Sequence, residues 1–121
     1  MARGKILAVD DSDTELTVLT GLLRRHGYTV VTASDATEAL ASLERDTPDV
    51  VLLDVVMPGI SGYQLCRTLR RDPRFAALPI IMVTGRDQQS DREWGMRQGA
   101  SEYLMKPVSD DDLIAAVASF V

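Results

Sequence analysis

Cysteine, histidine and tryptophan occur once each in this 121-residue chain, and phenylalanine only twice. The single Cys66 cannot close an intramolecular disulfide, which makes a reducing cytosol the natural compartment. No apolar run approaches the roughly 18 residues of a membrane span. The opening MARGKILAVDD has too short an apolar stretch for a signal peptide and leads directly into a strand pattern. Basic residues are outnumbered, 13 Lys and Arg against 18 Asp and Glu, for a net charge of -5. That balance argues against a non-specific nucleic-acid surface, which needs a basic stripe. Repeats, low-complexity segments and linkers are also missing. What is left is a chain with 45% hydrophobic and 26% charged residues, expected to form one domain over 1–121 with a substantial core.

Short β-rich runs alternate with amphipathic helices along that domain. Strands are expected over 4–10, 28–33, 49–54, 79–84 and 102–106, dominated by Val, Ile and Leu. Positions 50–53 and 80–83 show little polar alternation, as in strands buried on both faces. Helices are expected over 13–26, 36–46, 62–71, 88–98 and 110–120. Leu16, Leu19, Leu22 and Leu23 recur at helical spacing in the first. Ala36, Ala39, Leu40 and Leu43 do so in the second, and Leu113, Ile114, Val117 and Phe120 in the last. Asp110, Asp111 and Asp112 suit the positive N-terminal end of that last helix. Gly27 and Gly99 stand where helix-ending glycines are expected, Pro48 and Pro79 precede strands, and Pro107 ends one. Five such βα units imply an α/β fold, a right-handed, doubly wound, parallel sheet with helices on both faces.

Four of the five strands end on a residue able to act at a phosphate. KILAV stops at Asp10-Asp11, VVLL at Asp54, PIIMV at Thr84 and EYLM at Lys106. All carboxyl ends of a parallel sheet lie on one edge, where ligands bind. Three carboxylates, a hydroxyl and an ammonium would therefore converge. Carboxylates that close repel one another unless a cation is added, and a small all-oxygen set suits Mg²⁺. Singly, these residues have plainer readings. Asp11, Ser12 or Asp13 could simply cap the first helix, and Thr84-Gly85 could be an ordinary strand-end turn. Their occurrence together, in order, on strands 1, 3, 4 and 5 is the specific signal.

The motifs LAVDDS at 7–12, DVVLLDVVMPGISG at 49–62, IIMVTGR at 80–86 and GASEYLMKP at 99–107 resemble the response-regulator receiver domains of two-component signalling. The likeness spans essentially the full length. It implies a flavodoxin-like, CheY-like sheet in the order 2-1-3-4-5. By the same resemblance Asp54 is the phosphoacceptor, taking a phosphoryl group from a sensor histidine kinase or a histidine phosphotransfer domain. Mg²⁺ is the implied cofactor. Asp11, Asp54 and the Val56 backbone carbonyl would bind it directly, and Asp10 mainly through water. Lys106 would hold a phosphoryl oxygen. Thr84 and Tyr103 would form the switch, the hydroxyl moving to the phosphoryl group and the aromatic ring rotating into the vacated space. A cis Lys106-Pro107 bond is also implied. The output is a 4-5 face, α4-β5-α5, presented to another protein, without direct contact to nucleic acid or membrane. The expected state is a monomer able to dimerise on phosphorylation, a signalling switch in place of a metabolic enzyme. The 87–108 stretch and DDSDTELTVLTGLLRRHGY resemble stand-alone regulators of twitching motility, implying pilus or chemotaxis-like signalling.

Two positions depart from the chemotaxis pattern. Val56 is apolar where an amide would stand, and Arg86 places a long cation two residues after Thr84. Neighbouring features have plainer readings. Gly95 and a weak apolar stripe suggest a labile fourth helix. Trp94 reads as core or as a partly covered ring, with a partner anchor as the rival reading. Tyr103, taken alone, reads as an amphipathic side chain at a sheet edge. His26 reads as a residue complementing a helix C-terminus, Cys66 as a helix-face residue, and Arg67, Arg70, Arg71 and Arg74 as a solvated face. Competing functions fare less well. The D-x-D-x-T or D-x-D-x-V pattern of haloacid-dehalogenase phosphatases breaks at Glu15, and the glycine and terminal glutamate of an EF-hand loop are missing. A receiver belonging to a transcription factor stays open as a rival. The sequence runs to Val121 directly after the fifth helix, with no linker or helix-turn-helix segment in view.

Overall fold

The computed structural model describes residues 3–86 and 88–121. Met1, Ala2 and Asp87, which belong to the expected domain and to the 87–108 stretch, lie outside the described residues. Strand and helix alternate five times. The order is β1 (Lys5–Val9), α1 (Asp13–Arg25), β2 (Thr29–Ala33), α2 (Ala36–Arg45), β3 (Val50–Leu53), α3 (Gly62–Arg71), β4 (Ile80–Thr84), α4 (Gln89–Arg97), β5 (Glu102–Met105) and α5 (Asp110–Ala118). All pairings are parallel and the sheet order is β2-β1-β3-β4-β5, as the resemblance implies. No helix among the described residues is long and apolar enough to cross a membrane.

The period-two geometry of a strand explains why the central runs are apolar throughout. Leu7, Val9, Val51, Leu53, Ile80 and Met82 point to one face and are buried with α2 and α3 residues such as Leu43, Leu65 and Leu69. Ile6, Ala8, Val50, Leu52, Ile81 and Val83 point to the other, where Leu16, Leu22 and Leu23 of α1 and Leu113 and Val117 of α5 cover them. Each fully buried aliphatic side chain contributes about 1.5–3 kcal/mol. Helix caps add about 1 kcal/mol each, so caps set boundaries while the two cores hold the fold. Ser12, Asp35, Ser61 and Ser109 cap α1, α2, α3 and α5 through their side chains. The α1 cap is therefore Ser12, and Asp10 and Asp11 are not used for it. Gly27 and Gly99 take the expected positive φ, and Asp110, Asp111 and Asp112 occupy the first turn of α5.

Two expectations change. The arginines of α3 and its following loop are not uniformly solvated. Arg70 is half-buried, and its guanidinium donates to the carbonyls of Gly99 at 2.8 Å, Phe75 at 3.1 Å and Leu78 at 2.6 Å. It clamps the loop before β4 to the turn before β5. Arg74 pairs with Asp72 and Glu44 over the Phe75 ring, while Arg67 and Arg71 are exposed. The second change is Gly95. It is buried, and a Cβ there would lie 2.8 Å from Tyr103 Cδ2 and 3.0 Å from Met82 Sδ. The glycine serves close approach of α4 to the sheet. His26 and Cys66 fall where their plainer readings put them. His26 ends α1 with Nδ1 3.0 Å from the Leu22 carbonyl and Cys66 is buried on the inner face of α3, whereas Trp94 is exposed and not a core residue.

Replacing Arg70 with Ala takes the guanidinium donor from the Gly99 and Leu78 carbonyls and leaves Phe75 with only the Leu78 N–H, and is expected to destabilise the fold by about 2–3 kcal/mol in urea unfolding. Arg67→Ala should stay within about 0.5 kcal/mol. For Gly95→Ala, overlap with a buried ring outweighs the gain in helix propensity. A net loss of about 1 kcal/mol is expected in the same titration, and a gain would show that the ring yields freely.

Candidate functional site

The sheet ladder itself delivers the site. Beyond the last paired residues, the Asp10 N–H donates to the Ala33 carbonyl at 3.1 Å and the Asp54 N–H to the Val9 carbonyl at 3.0 Å. The Lys106 N–H donates to the Thr84 carbonyl at 2.8 Å. Each of these three residues is thus held one step past its strand by a backbone bond to the neighbouring strand. This is tighter placement than a free loop could supply.

Asp10 and Asp54 are buried and Asp11 is exposed, with ligand oxygens of all three lying within 4.8 Å of one another. Each buried carboxylate spends one oxygen on a local backbone donor. Asp10 Oδ1 accepts from the Ser12 N–H at 2.9 Å, and Asp54 Oδ1 from the Val56 N–H at 3.3 Å. Their Oδ2 atoms turn to the Lys106 ammonium, at 2.9 Å from Asp10 and 3.4 Å from Asp54. A third carboxylate, Glu15 on the first turn of α1, reaches the same ammonium at 3.0 Å. Partial burial by itself would lower the Lys106 pKa. Asp10, Glu15 and Asp54 outweigh that and hold it well above the usual lysine range. The ammonium therefore stays charged throughout neutral pH.

One ammonium among four carboxylates leaves an excess of negative charge in a partly dry cleft. The oxygen-only donor set at Asp10, Asp11 and Asp54 fits a small hard divalent cation such as Mg²⁺. Val56, 54% exposed, and Arg86 both line the cleft.

Thr84 is fully buried at the end of β4, in the wall of this cleft, and its Oγ1 accepts from the Arg86 N–H at 3.4 Å. Tyr103 lies apart from the carboxylates. Its ring is 1% exposed beneath α4, so it is a core side chain and not an amphipathic one at the sheet edge. Its hydroxyl donates to the Arg86 carbonyl at 3.0 Å. Burial, with help from the nearby Tyr63 hydroxyl, pushes its pKa up, so the phenol stays a donor. The backbone of one residue, Arg86, thus joins Thr84 to Tyr103.

Three participants carried no signal strong enough to be singled out in the sequence. Glu15 stands four residues after Asp11, a spacing that puts it over the strand edge only once α1 has been docked. Tyr63 donates to the Asp91 carbonyl at 3.1 Å, tying α3 to the start of α4. Gly62, inside a quoted motif, gives α3 its close approach. A Cβ there would overlap the Asp54 carbonyl oxygen and lie 2.9 Å from Val55 Cα.

Comparison with known proteins gives the arrangement a family context. Residues 6–118 match the response regulator receiver domain. The chain is 45% identical over 113 residues to Protein PilH of Pseudomonas aeruginosa, covering 93% of each. It is 43% identical over 115 residues to Response regulator PleD of Caulobacter vibrioides, covering 95% of this chain and 25% of PleD. The chain therefore spans nearly the whole of one relative and only a quarter of the other. Among solved structures, the chemotaxis protein CheY4 of Vibrio cholerae superposes with a TM-score of 0.91 at 32% identity, covering 100% of this chain and 99% of that one.

Proposed function

Because this chain belongs to the response regulator receiver domains of two-component signalling, we propose that Asp54 is its phosphoacceptor and that phosphorylation switches its α4-β5-α5 face. The observation that carries this reading is the convergence of Asp54 with Asp10, Asp11 and Lys106 at one sheet edge. The donor would be a phosphohistidine on a sensor histidine kinase or a histidine phosphotransfer domain. Asp54 would attack the phosphorus, so that an O–P bond forms as the P–N bond breaks and the electron pair leaves on the imidazole nitrogen. A carboxylate is a weak nucleophile, and such transfers depend on positioning and charge neutralisation. Lys106 meets both needs as a compact point charge for a phosphoryl oxygen. Held by Asp10, Asp11, Asp54 and the Val56 carbonyl, Mg²⁺ would supply the rest of the charge neutralisation.

The switch follows from Arg86. Were the Thr84 hydroxyl to turn and donate to the phosphoryl group, it would give up the Arg86 N–H. The loop leaving β4 would then shift, and with it the carbonyl that anchors the Tyr103 hydroxyl. The ring and α4 respond because Gly95 lies against that ring. An added charge thereby biases a two-state surface element. The listener is a protein, and no nucleic acid contact is invoked. The likeness to PilH and to a chemotaxis protein supports pilus or chemotaxis-like signalling in the cytoplasm. One domain over 1–121 would carry the whole switch.

Acetyl phosphate with Mg²⁺ tests the reading. Intact-mass spectrometry should record one added phosphoryl group per chain, lost with EDTA and lost in Asp54→Asn. Labelling that persists in Asp54→Asn would overturn it. A second expectation concerns lifetime. Val56 offers no polar group to orient a hydrolytic water, and the exposed Arg86 stands beside it. The phosphorylated chain should therefore lose its label more slowly than a Val56→Asn variant, and equal decay rates would count against this.

A further inference from the structure

We propose that Glu15 is a positioning residue that sets where the Lys106 ammonium rests, and so how freely Asp54 can take up a cation and then a phosphoryl group. This rests on the phosphoacceptor reading above. A lysine ammonium has three protons, and three carboxylates surround this one. Asp10 and Glu15 stand at 2.9 and 3.0 Å, and Asp54 at 3.4 Å. The nucleophile is the least tightly engaged of the three. Ser12 organises the two nearer partners together, its N–H held by Asp10 Oδ1 and its hydroxyl accepting from the Glu15 N–H at 3.2 Å.

Glu15 differs from the other two in being outside the trio able to hold a metal. It competes for the ammonium without competing for the cation. A cation entering the cluster claims oxygens of Asp10 and Asp54, which are two of the three partners of Lys106. Glu15 is the partner that remains, so the ammonium need not be left unpaired in a half-buried cleft. Without the Glu15 charge, Asp10 and Asp54 are the two carboxylates left around the ammonium, and the pull toward Asp54 is no longer opposed from the α1 side. The ammonium would then close on the nucleophile, and a tight Lys106–Asp54 pair opposes both cation entry and attack. With a side chain 44% exposed, Glu15 adds little to folding stability. Its role lies in where it holds the ammonium.

The test uses the full chain with Glu15→Gln, and Asp13→Asn as a charge control. Asp13 sits in the same first turn, exposed, with no ion pair to Lys106 among the described residues. Calorimetric Mg²⁺ titration should show affinity falling about three- to tenfold in Glu15→Gln and less than about twofold in the control. Labelling by acetyl phosphate should slow in parallel at limiting Mg²⁺ and recover at saturating Mg²⁺. Urea unfolding should be unchanged, and a crystal structure of Glu15→Gln should place Lys106 Nζ closer to Asp54. A Glu15→Gln variant that tracks Asp13→Asn in Mg²⁺ affinity would overturn the proposal while leaving the phosphoacceptor reading intact. Failure of the unaltered chain to bind Mg²⁺ would overturn both.

Discussion

The Lys106 ammonium is the interaction on which the rest of the site depends. Buried carboxylates at the end of two adjacent strands repel each other, and the ladder bonds of Asp10 and Asp54 leave them no room to separate. A cation from the end of β5, two strands along from β3, makes the arrangement tolerable. Lys106 reaches it because its own N–H is fixed to the Thr84 carbonyl. The compensation is incomplete by design of the charges, one ammonium against Asp10, Asp11, Asp54 and Glu15. That residual negative charge would favour a divalent cation, and the cation in turn would allow a phosphoryl group to join an already anionic cleft. Stability and function therefore draw on the same electrostatic imbalance, in opposite senses.

The same edge is mechanically coupled to the surface through very few atoms. Arg86 is pinned at its N–H by Thr84 and at its carbonyl by Tyr103. Tyr103 is in turn wedged against Gly95, while Arg92 donates to the Tyr103 carbonyl at 2.9 Å. Tyr63 adds a further tether from α3 to the first turn of α4. A hydroxyl moving at the carboxyl end of β4 would thus disturb a chain of directional contacts ending on α4. By contrast, α1 is held to the sheet by aliphatic burial of Leu16, Leu22 and Leu23, which has no such direction. The asymmetry suits one side of the molecule to respond and the other to stay in place.

Much of this was legible in the residues. Apolar runs without polar alternation predicted strands buried on both faces, and Val50–Leu53 and Ile80–Thr84 are that. The paired acids, Asp54, Thr84 and Lys106 were readable because strand ends in a parallel sheet share one edge. Boundaries slipped by a residue or two where fraying and caps decide them, as at α5, which stops at Ala118. The clamp made by Arg70 is hidden from the sequence because periodicity shows only its place on a helix. Its partners, the carbonyls of Phe75, Leu78 and Gly99, belong to loops that local pattern does not describe. The role of Gly95 is hidden for the same reason, since a missing Cβ looks like weakness until the opposing ring is known.

By itself the sequence determined the order of elements, the two-faced core and the chemical types gathered at the carboxyl edge, because these follow from hydrophobic period and strand polarity. Tertiary structure decided what those types do to one another. Distances of 2.9, 3.0 and 3.4 Å rank three carboxylates around a single ammonium, and only the docking of α1 brings Glu15 among them. Tyr103 likewise became a core residue only when α4 closed over it. Local pattern reads neighbours along the chain, whereas electrostatic competition and steric fit arise between residues that only folding brings together.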